Sequence, residues 1–182
     1  MRRGYKGVLV LALALALALL GVAGCGSDEG KEADEGVPIK LGDLEFNVSE
    51  TRFLNPAQPD DSQYLAGQRV PPPGSQDYLG VFLTIHNEGD DPVRLPTDAD
   101  TSIVDTTGAA YEAIPSTNDF AAPLGTELAG GGDIPAPDTA AANGPTQGAL
   151  VIFLVEQAVN ENRPLKLEIE FEGETGDITL DI

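Results

Sequence analysis

The feature that most constrains the fold is an alternation of apolar and polar residues that recurs after residue 37. It is cleanest at residues 165–172, where leucine, isoleucine or phenylalanine alternates with lysine or glutamate. A period of two gives a segment one apolar face, as in a half-buried β-strand. After residue 37 the sequence contains no convincing 3.6-residue apolar period, so the pattern predicts an all-β fold.

The same reasoning locates the other strands and orders their roles. Residues 149–155 are apolar on both faces, which is typical of a central strand. Pro92 cannot donate a ladder hydrogen bond, so residues 93–95 should form a short or edge strand. Gly108 can adopt the positive φ that a three-residue hairpin requires. Further strands are predicted at residues 44–49, with a continuation toward residues 53–54, and at residues 78–86, 102–105, 109–113 and 177–182. About eight strands separated by turns predict a β-sandwich. Its predicted core includes Val81, Leu83, Phe153 and Leu167.

The first 25 residues have the organisation of an export signal. A basic head is followed by an unbroken apolar run at residues 8–20, which is short for a membrane span of roughly 20 residues. Small residues then lead to Cys25, the only cysteine. The sequence Val22-Ala23-Gly24-Cys25 resembles the lipobox of bacterial lipoproteins. This resemblance implies that residues 1–24 are a signal peptide, that Cys25 carries a diacylglycerol anchor, and that the protein sits on the extracytoplasmic face of the cell membrane.

Charge and composition separate a tether from the domain. Residues 26–36 are glycine, serine, acids and lysine with one alanine, so residues 25–36 are predicted to be a flexible tether and residues 37–182 the domain. The full chain carries −20, and loss of three basic residues with the signal gives −20 − 3 = −23. Such acidity argues against nucleic-acid partners and predicts that the domain stands off an anionic membrane surface.

Two long loops, at residues 55–76 and 115–145, interrupt the strand pattern. Counting antiparallel strands from the tether places both loops at the end that points away from the membrane, provided that residues 93–95 form a full strand. Tyr64 and Phe120 would be apolar binding residues there, although either could instead cap an edge of the sandwich. Long loops on a rigid sandwich are where binding usually occurs.

Catalytic and metal-binding chemistry has little support in the sequence. His86 is the only histidine, no Gly-x-Ser-x-Gly motif is present, and Cys25 is assigned to lipid, so neither a nucleophile–histidine pair nor a zinc site is predicted. Calcium is the one metal worth considering, because Asp98 and Asp100 alternate as oxygen ligands. The segment lacks the glycine and the later glutamate of a full calcium loop. The expectation is therefore a protein that is not an enzyme and has no cofactor, with Asp98 and Asp100 as weak calcium candidates.

Three segments in order resemble a known family. They are residues 78–93, residues 103–105 with Gly108 and Tyr111, and residues 144–153 followed by 164–167. Together they resemble Ig-like (telokin-like) domains of unknown function, which are common in bacterial lipoproteins and related in fold to a secreted mycobacterial Ig-like antigen. The resemblance implies an Ig-like antiparallel β-sandwich of about 7–8 strands and carries over no catalytic residue. The proline-rich first loop and the Ala/Gly-rich second loop depart from the family pattern.

The expected function is a membrane-anchored, non-catalytic binding or interaction module for an unknown protein or envelope ligand. The alternatives are a structural envelope spacer, or an accessory domain of a cell-envelope enzyme or transport system. A binding module should order its two long loops against something, whereas a spacer would leave them mobile.

Overall fold

A computed structural model describes residues 30–71 and 74–182. Two short α-helices, α1 (Pro59–Ser62) and α2 (Ala140–Asn143), and two 3-10 turns, Asp98–Asp100 and Gln157–Asn160, accompany the strands. The strands are β1 (Lys31–Asp34), β2 (Ile39–Leu41), β3 (Leu44–Leu54), β4 (Gln76–Asn87), β5 (Val93–Arg94), β6 (Thr101–Val104), β7 (Ala110–Ile114), β8 (Glu127–Leu128), β9 (Asp133–Ile134), β10 (Ala149–Glu156), β11 (Lys166–Phe171) and β12 (Glu174–Thr179).

The strands form a β-sandwich with one continuous path of hydrogen-bonded neighbours, in the order β1-β12-β11-β6-β7-β10-β4-β3-β2. β1, β12, β11 and β6 make the first layer, and β2, β3, β4 and β10 make the second. β7 pairs with both β6 and β10 and so joins the two layers. The ends of the path also meet, since the Lys31 Nζ donates to the Lys40 carbonyl oxygen at 2.8 Å. The predicted all-β sandwich is therefore confirmed.

The core lies between the layers and is built by the alternation seen in the sequence. Val81 and Phe153 from the second layer and Leu167 from the first have no exposed surface, and Leu83 is 2% exposed, as predicted. β10 is flanked by β4 and β7, which confirms it as a central strand. Gly108 has φ of 83° in the β6–β7 hairpin, also as predicted.

The N-terminal strand corrects the predicted domain boundary. Residues 31–34, assigned to the flexible tether, form β1, which pairs in parallel with β12 from Lys31↔Gly176 to Asp34↔Thr179. Of these four residues, only Ala33 packs against the core. The strand is held by backbone groups and charged side chains, so its sequence has no apolar alternation that would predict it. The predicted signal peptide, residues 1–24, and the predicted lipidation site, Cys25, lie outside the described residues.

Strand directions define two ends of the sandwich. We call the end where β1 begins the entry end and the opposite end the far end. β12 is parallel to β1, and each later neighbour on the path from β12 to β3 is antiparallel to the one before it. β6 and β3 therefore both run from the entry end to the far end. The loop at residues 55–75 follows β3 and therefore lies at the far end, as predicted.

The second long loop is at the other end, which corrects the prediction of a shared end. β5 has two residues and pairs with β8 outside both layers, so it does not reverse the chain across the sandwich. β7 consequently runs toward the entry end, and the segment at residues 115–148 is rooted there. For the same reason, the turn at residues 95–100 lies at the entry end and the hairpin at residues 105–109 at the far end.

Candidate binding groove

The two long loops meet although they start at opposite ends, because both fold over the outer face of the second layer. The Tyr64 ring packs edge-on against Phe82 of β4 at 5.2 Å and against Phe120 at 4.7 Å between ring centroids. These rings belong to a second apolar cluster on that outer face, together with Leu54, Leu65, Tyr78, Leu150 and Ile152. The loops thus cover part of the sheet, so their order is no sign of a bound partner.

Tyr64 and Phe120 are therefore not the exposed binding residues that were predicted. Tyr64 is 1% exposed, its hydroxyl accepts from the Thr146 amide at 3.3 Å, and its carbonyl accepts from the Asn118 side chain. Phe120 is half-buried against it. The alternative prediction is that an aromatic residue caps an edge of the sandwich. Tyr64 does act as a cap, but it covers the outer face of the second layer and not an edge.

An ion pair fixes the first loop to the sheet. The Arg52 guanidinium on β3 donates to the Asp61 carboxylate on α1 and lies over the rings of Tyr64 and Phe82, at 5.4 and 5.6 Å from their centroids. The other Asp61 oxygen accepts from the Asn55 amide at 2.8 Å. The Asp61 side chain is 7% exposed and that of Arg52 is 29% exposed. The loop is held by a partly desolvated, hydrogen-bonded charge pair, which is stronger than a surface pair.

The first loop leaves an open groove at the far end, which we call the far-end groove. It has a volume of about 530 Å³. Val70 on its wall is 75% exposed. Among the described residues, the other exposed large apolar side chain is Val37, which is 51% exposed. The apolar wall consists of Phe53, Leu54, Pro56, Val70, Pro71 and Tyr78, and the polar rim of Asn55, Gln76, Asp77 and Asn160. The sequence did not predict this groove, although the run of prolines that begins at Pro71 indicated an extended segment in the first loop.

A hydrogen-bonded turn braces the far end beside the groove. One Asp105 carboxylate oxygen accepts from the Thr107 hydroxyl at 2.6 Å and from the Ala109 amide at 3.0 Å, and the other accepts from the Asn162 side chain at 3.1 Å. Asn162 follows the 3-10 turn that carries the groove residue Asn160. The Thr107 hydroxyl above all, helped by the other donors, lowers the pKa of the Asp105 carboxyl.

The calcium candidates lie at the entry end in a helical turn. The Asp100 carboxylate accepts from the Thr97 amide at 2.8 Å and the Thr97 hydroxyl at 2.6 Å, which lowers its pKa. Burial raises the pKa of the Asp98 carboxyl. Asp100 thus forms a reciprocal cap with Thr97, and in residues 30–71 and 74–182 no three metal-ligating side chains come together. Their arrangement gives calcium binding no added support.

Among the further cavities of the described residues, two lie toward the entry end beside acidic side chains. One, of about 480 Å³, is between residues 94–97 and the β11–β12 turn, with Asp100, Glu170, Glu172 and Glu174 on its wall. The other, of about 400 Å³, is enclosed by residues 119–149 and is lined mainly by small apolar side chains. His86, the only histidine, pairs with Asp133 at 2.7 Å near this second cavity and joins β4 to β9.

Comparisons with known proteins find solved structures that resemble this chain in fold. No family model and no curated protein matches the chain. The YjhA protein of Bacillus subtilis is similar in structure, with a TM-score of 0.51 and 13% identity over 82% of this chain and 99% of that one. An uncharacterized β-sandwich protein of Clostridium difficile 630 has a TM-score of 0.49 and 12% identity over 84% of this chain and 95% of its own. The secreted protein MPT63 of Mycobacterium tuberculosis has a TM-score of 0.48 and 12% identity, over 84% of this chain and 98% of its own. The likeness to YjhA concerns the fold alone.

The described part of the chain contains no helix that could span a membrane. Within residues 30–71 and 74–182, the helices are too short and too polar to cross a bilayer. Any attachment through Cys25 depends on residues outside that part, and it remains a prediction from the sequence.

The Arg52–Asp61 pair generates the first testable prediction. Asp61→Ala removes the acceptor of Arg52 and of the Asn55 amide, so it should lower the free energy of unfolding by about 2 kcal/mol and speed amide hydrogen exchange in residues 55–71. Asp60→Ala, an exposed acid in the same helix, is the matched control and should change neither quantity appreciably. Equal effects from both variants, measured by urea unfolding and hydrogen exchange, would contradict a specific role for the pair.

Asp105 predicts a dependence of stability on pH. Because its pKa is lower in the folded than in the unfolded state, the ionised carboxylate stabilises the fold above the unfolded pKa, and this contribution is lost as the pH falls through the folded value. Asp105→Asn should therefore lose less stability on acidification than the parent protein, measured as urea midpoints between neutral and acidic pH. Thr107→Ala should act in the same direction, whereas Thr106→Ala, in the same turn, should retain the parent profile.

Proposed function

We propose that this protein is an exported lipoprotein, held at the extracytoplasmic face of the cell membrane by a lipid on Cys25, and that its Ig-like sandwich is a non-catalytic binding module. The export signal and the lipobox-like residues support the anchor. The far-end groove supports the binding role. The observation that carries it is Val70, which is 75% exposed on the wall of an apolar groove held on a rigid sheet.

The proposed occupant of the groove is an extended segment of a partner protein, neutral or basic in charge. Phe53, Pro56 and Val70 offer apolar contacts for side chains, while Asn55 and Gln76 on the rim can donate to and accept from a peptide backbone. The processed chain, with a net charge of −20 − 3 = −23, repels acidic partners over a Debye length of about 8 Å at physiological salt, so it favours a neutral or basic one.

The groove supports binding better than catalysis. Among the described residues that line the groove, Asp77 is the one acid, and there is no histidine, cysteine, serine or lysine. The Tyr78 hydroxyl donates to the Arg69 carbonyl oxygen, and burial raises the pKa of this phenol, so it stays neutral and is a poor nucleophile. Without a nucleophile beside a base, the lining suits recognition of a ligand rather than its conversion.

The anchor has a direct test. Cys25→Ala should abolish acylation and prevent processing before residue 25, as read by the mass of the purified protein and by its distribution in detergent phase separation. A processed, acylated protein in this variant would overturn the lipoprotein proposal.

The groove is tested by photo-crosslinking in the native bacterium. A photoreactive amino acid placed at position 70 of the full-length chain should give a discrete protein adduct upon irradiation. The matched control is position 37, because Val37 is an exposed valine that does not line the groove. Pro56→Lys, which removes an apolar contact and adds a positive charge that opposes a basic partner, should reduce the adduct at position 70. Equal adducts at positions 70 and 37, or none at position 70, would contradict the groove as the binding site.

A further inference from the structure

The chain enters the sandwich through β1, and β1 has a fixed direction. Its four residues pair in parallel with β12, which directs the strand from the entry end to the far end. The Glu35 amide then donates to the Thr179 carbonyl oxygen at 2.8 Å, and the Asp181 amide donates to the Glu35 carboxylate at 2.9 Å. These bonds secure the end of β1, so the first fixed point of the chain is Lys31 at the entry end.

The distance from the anchor to that fixed point is short. From Cys25 to Lys31 there are 31 − 25 = 6 Cα–Cα steps, which span at most about 22 Å when fully extended. The sandwich is longer than this, because the 11 residues of β3 alone extend over roughly 36 Å. A lipid on Cys25 can therefore hold the entry end near the bilayer, but the sandwich cannot stand inverted with its far end on the bilayer and its entry end uppermost.

We propose that β1 orients the anchored protein, so that the entry end faces the lipid surface and the far-end groove faces away from it. This inference rests on the proposed lipid anchor at Cys25. It identifies the surface that faces the bilayer as the turns at residues 42–43, 88–92, 95–100 and 172–173. It also implies that a partner of the groove must reach it at the height of the sandwich above the bilayer.

The orientation depends on β1 remaining docked. If β1 detached, the first strand residue would be Ile39, and the 39 − 25 = 14 steps from Cys25 would reach about 50 Å, enough to invert the sandwich. Docking is supported by Ala33, which packs on the core, and by two ion pairs across the strands, Lys31–Glu174 and Lys166–Glu32, both at 2.9 Å. Each exposed pair contributes at most about 1 kcal/mol, so the backbone ladder supplies much of the remaining hold.

Charge at the entry end keeps that surface off the headgroups. Asp43, Asp90, Asp91 and Glu172 are exposed in its turns. At this end Lys31 is paired with Glu174 and Lys40 with Glu88, and Arg94 is a further exposed cation. Repulsion from an anionic leaflet acts over a Debye length of about 8 Å, which is shorter than the tether. The entry end thus faces the membrane without inserting into it.

The unique cysteine makes the orientation measurable. With the Cys25 thiol bonded to lipid, a cysteine introduced elsewhere is the only free thiol in the full-length protein. Ala99→Cys labels the entry end and Thr106→Cys the far end, both at exposed positions. The acylated protein is placed in vesicles of phosphatidylethanolamine and phosphatidylglycerol that contain headgroup-labelled acceptor lipid. The donor at residue 99 should be quenched more strongly than the donor at residue 106.

A lengthened tether is the control that separates orientation from mere attachment. A Gly/Ser insertion between Gly30 and Lys31, long enough to exceed the length of the sandwich, leaves β1 intact and should reduce the difference in quenching. Equal quenching at residues 99 and 106 without the insertion, or stronger quenching at residue 106, would overturn the orientation and leave the anchor standing. Absence of acylation at Cys25, read by mass in the same sample, would overturn both proposals.

Discussion

The structure depends on the burial of β4 on both faces. Its inward residues build the core between the layers, and its outward residues Tyr78 and Phe82 are 3% and 0% exposed. Gly80 between them allows close packing, because a Cβ there would lie 2.8 Å from the Leu54 side chain and 3.1 Å from that of Leu150. A strand that is apolar on both faces must be covered on both. The first layer covers the inner face of β4, but no further sheet packs on its outer face in the described residues. The long loops supply it, with Tyr64 as the central side chain.

This requirement explains why the candidate site differs from the expected one. The most apolar side chains of the long loops are used to cover β4, so they are not available to a partner. What is left for binding is the rim of that cover, where Val70 and Pro71 project beside the ends of β3 and β4. The rigidity of the groove follows from the same packing, since Arg52 contacts Tyr64 and Phe82 while it holds Asp61.

The sequence predicted the features that depend on local alternation and failed where long-range pairing decides. The long strands β3, β4, β10 and β11, the core positions and the Gly108 turn could be inferred because each leaves a period or a turn residue, whereas the short strands β2, β8 and β9 were not predicted. β1 could not be inferred, since a parallel strand of charged residues pairs through its backbone and looks like a tether. Residues 115–145 were assigned to the wrong end because Val93 and Arg94 pair outside the layers and so do not reverse the chain across the sandwich. Val70 has no signal of its own, because a single valine in a polar loop is ordinary.

Docking of β1 also affects how molecules on one surface would meet. A free β12 edge would present unpaired amides and carbonyls to a neighbouring copy of the protein. β1 covers that edge with Lys31, Glu32 and Asp34, and Lys31 reaches across to the carbonyl of Lys40 on β2. Charged side chains on a short edge strand disfavour strand addition, and a net charge of −20 adds repulsion between copies. The strand that we propose to orient the domain therefore also protects the open side of the sandwich, and neither effect requires an apolar residue beyond Ala33.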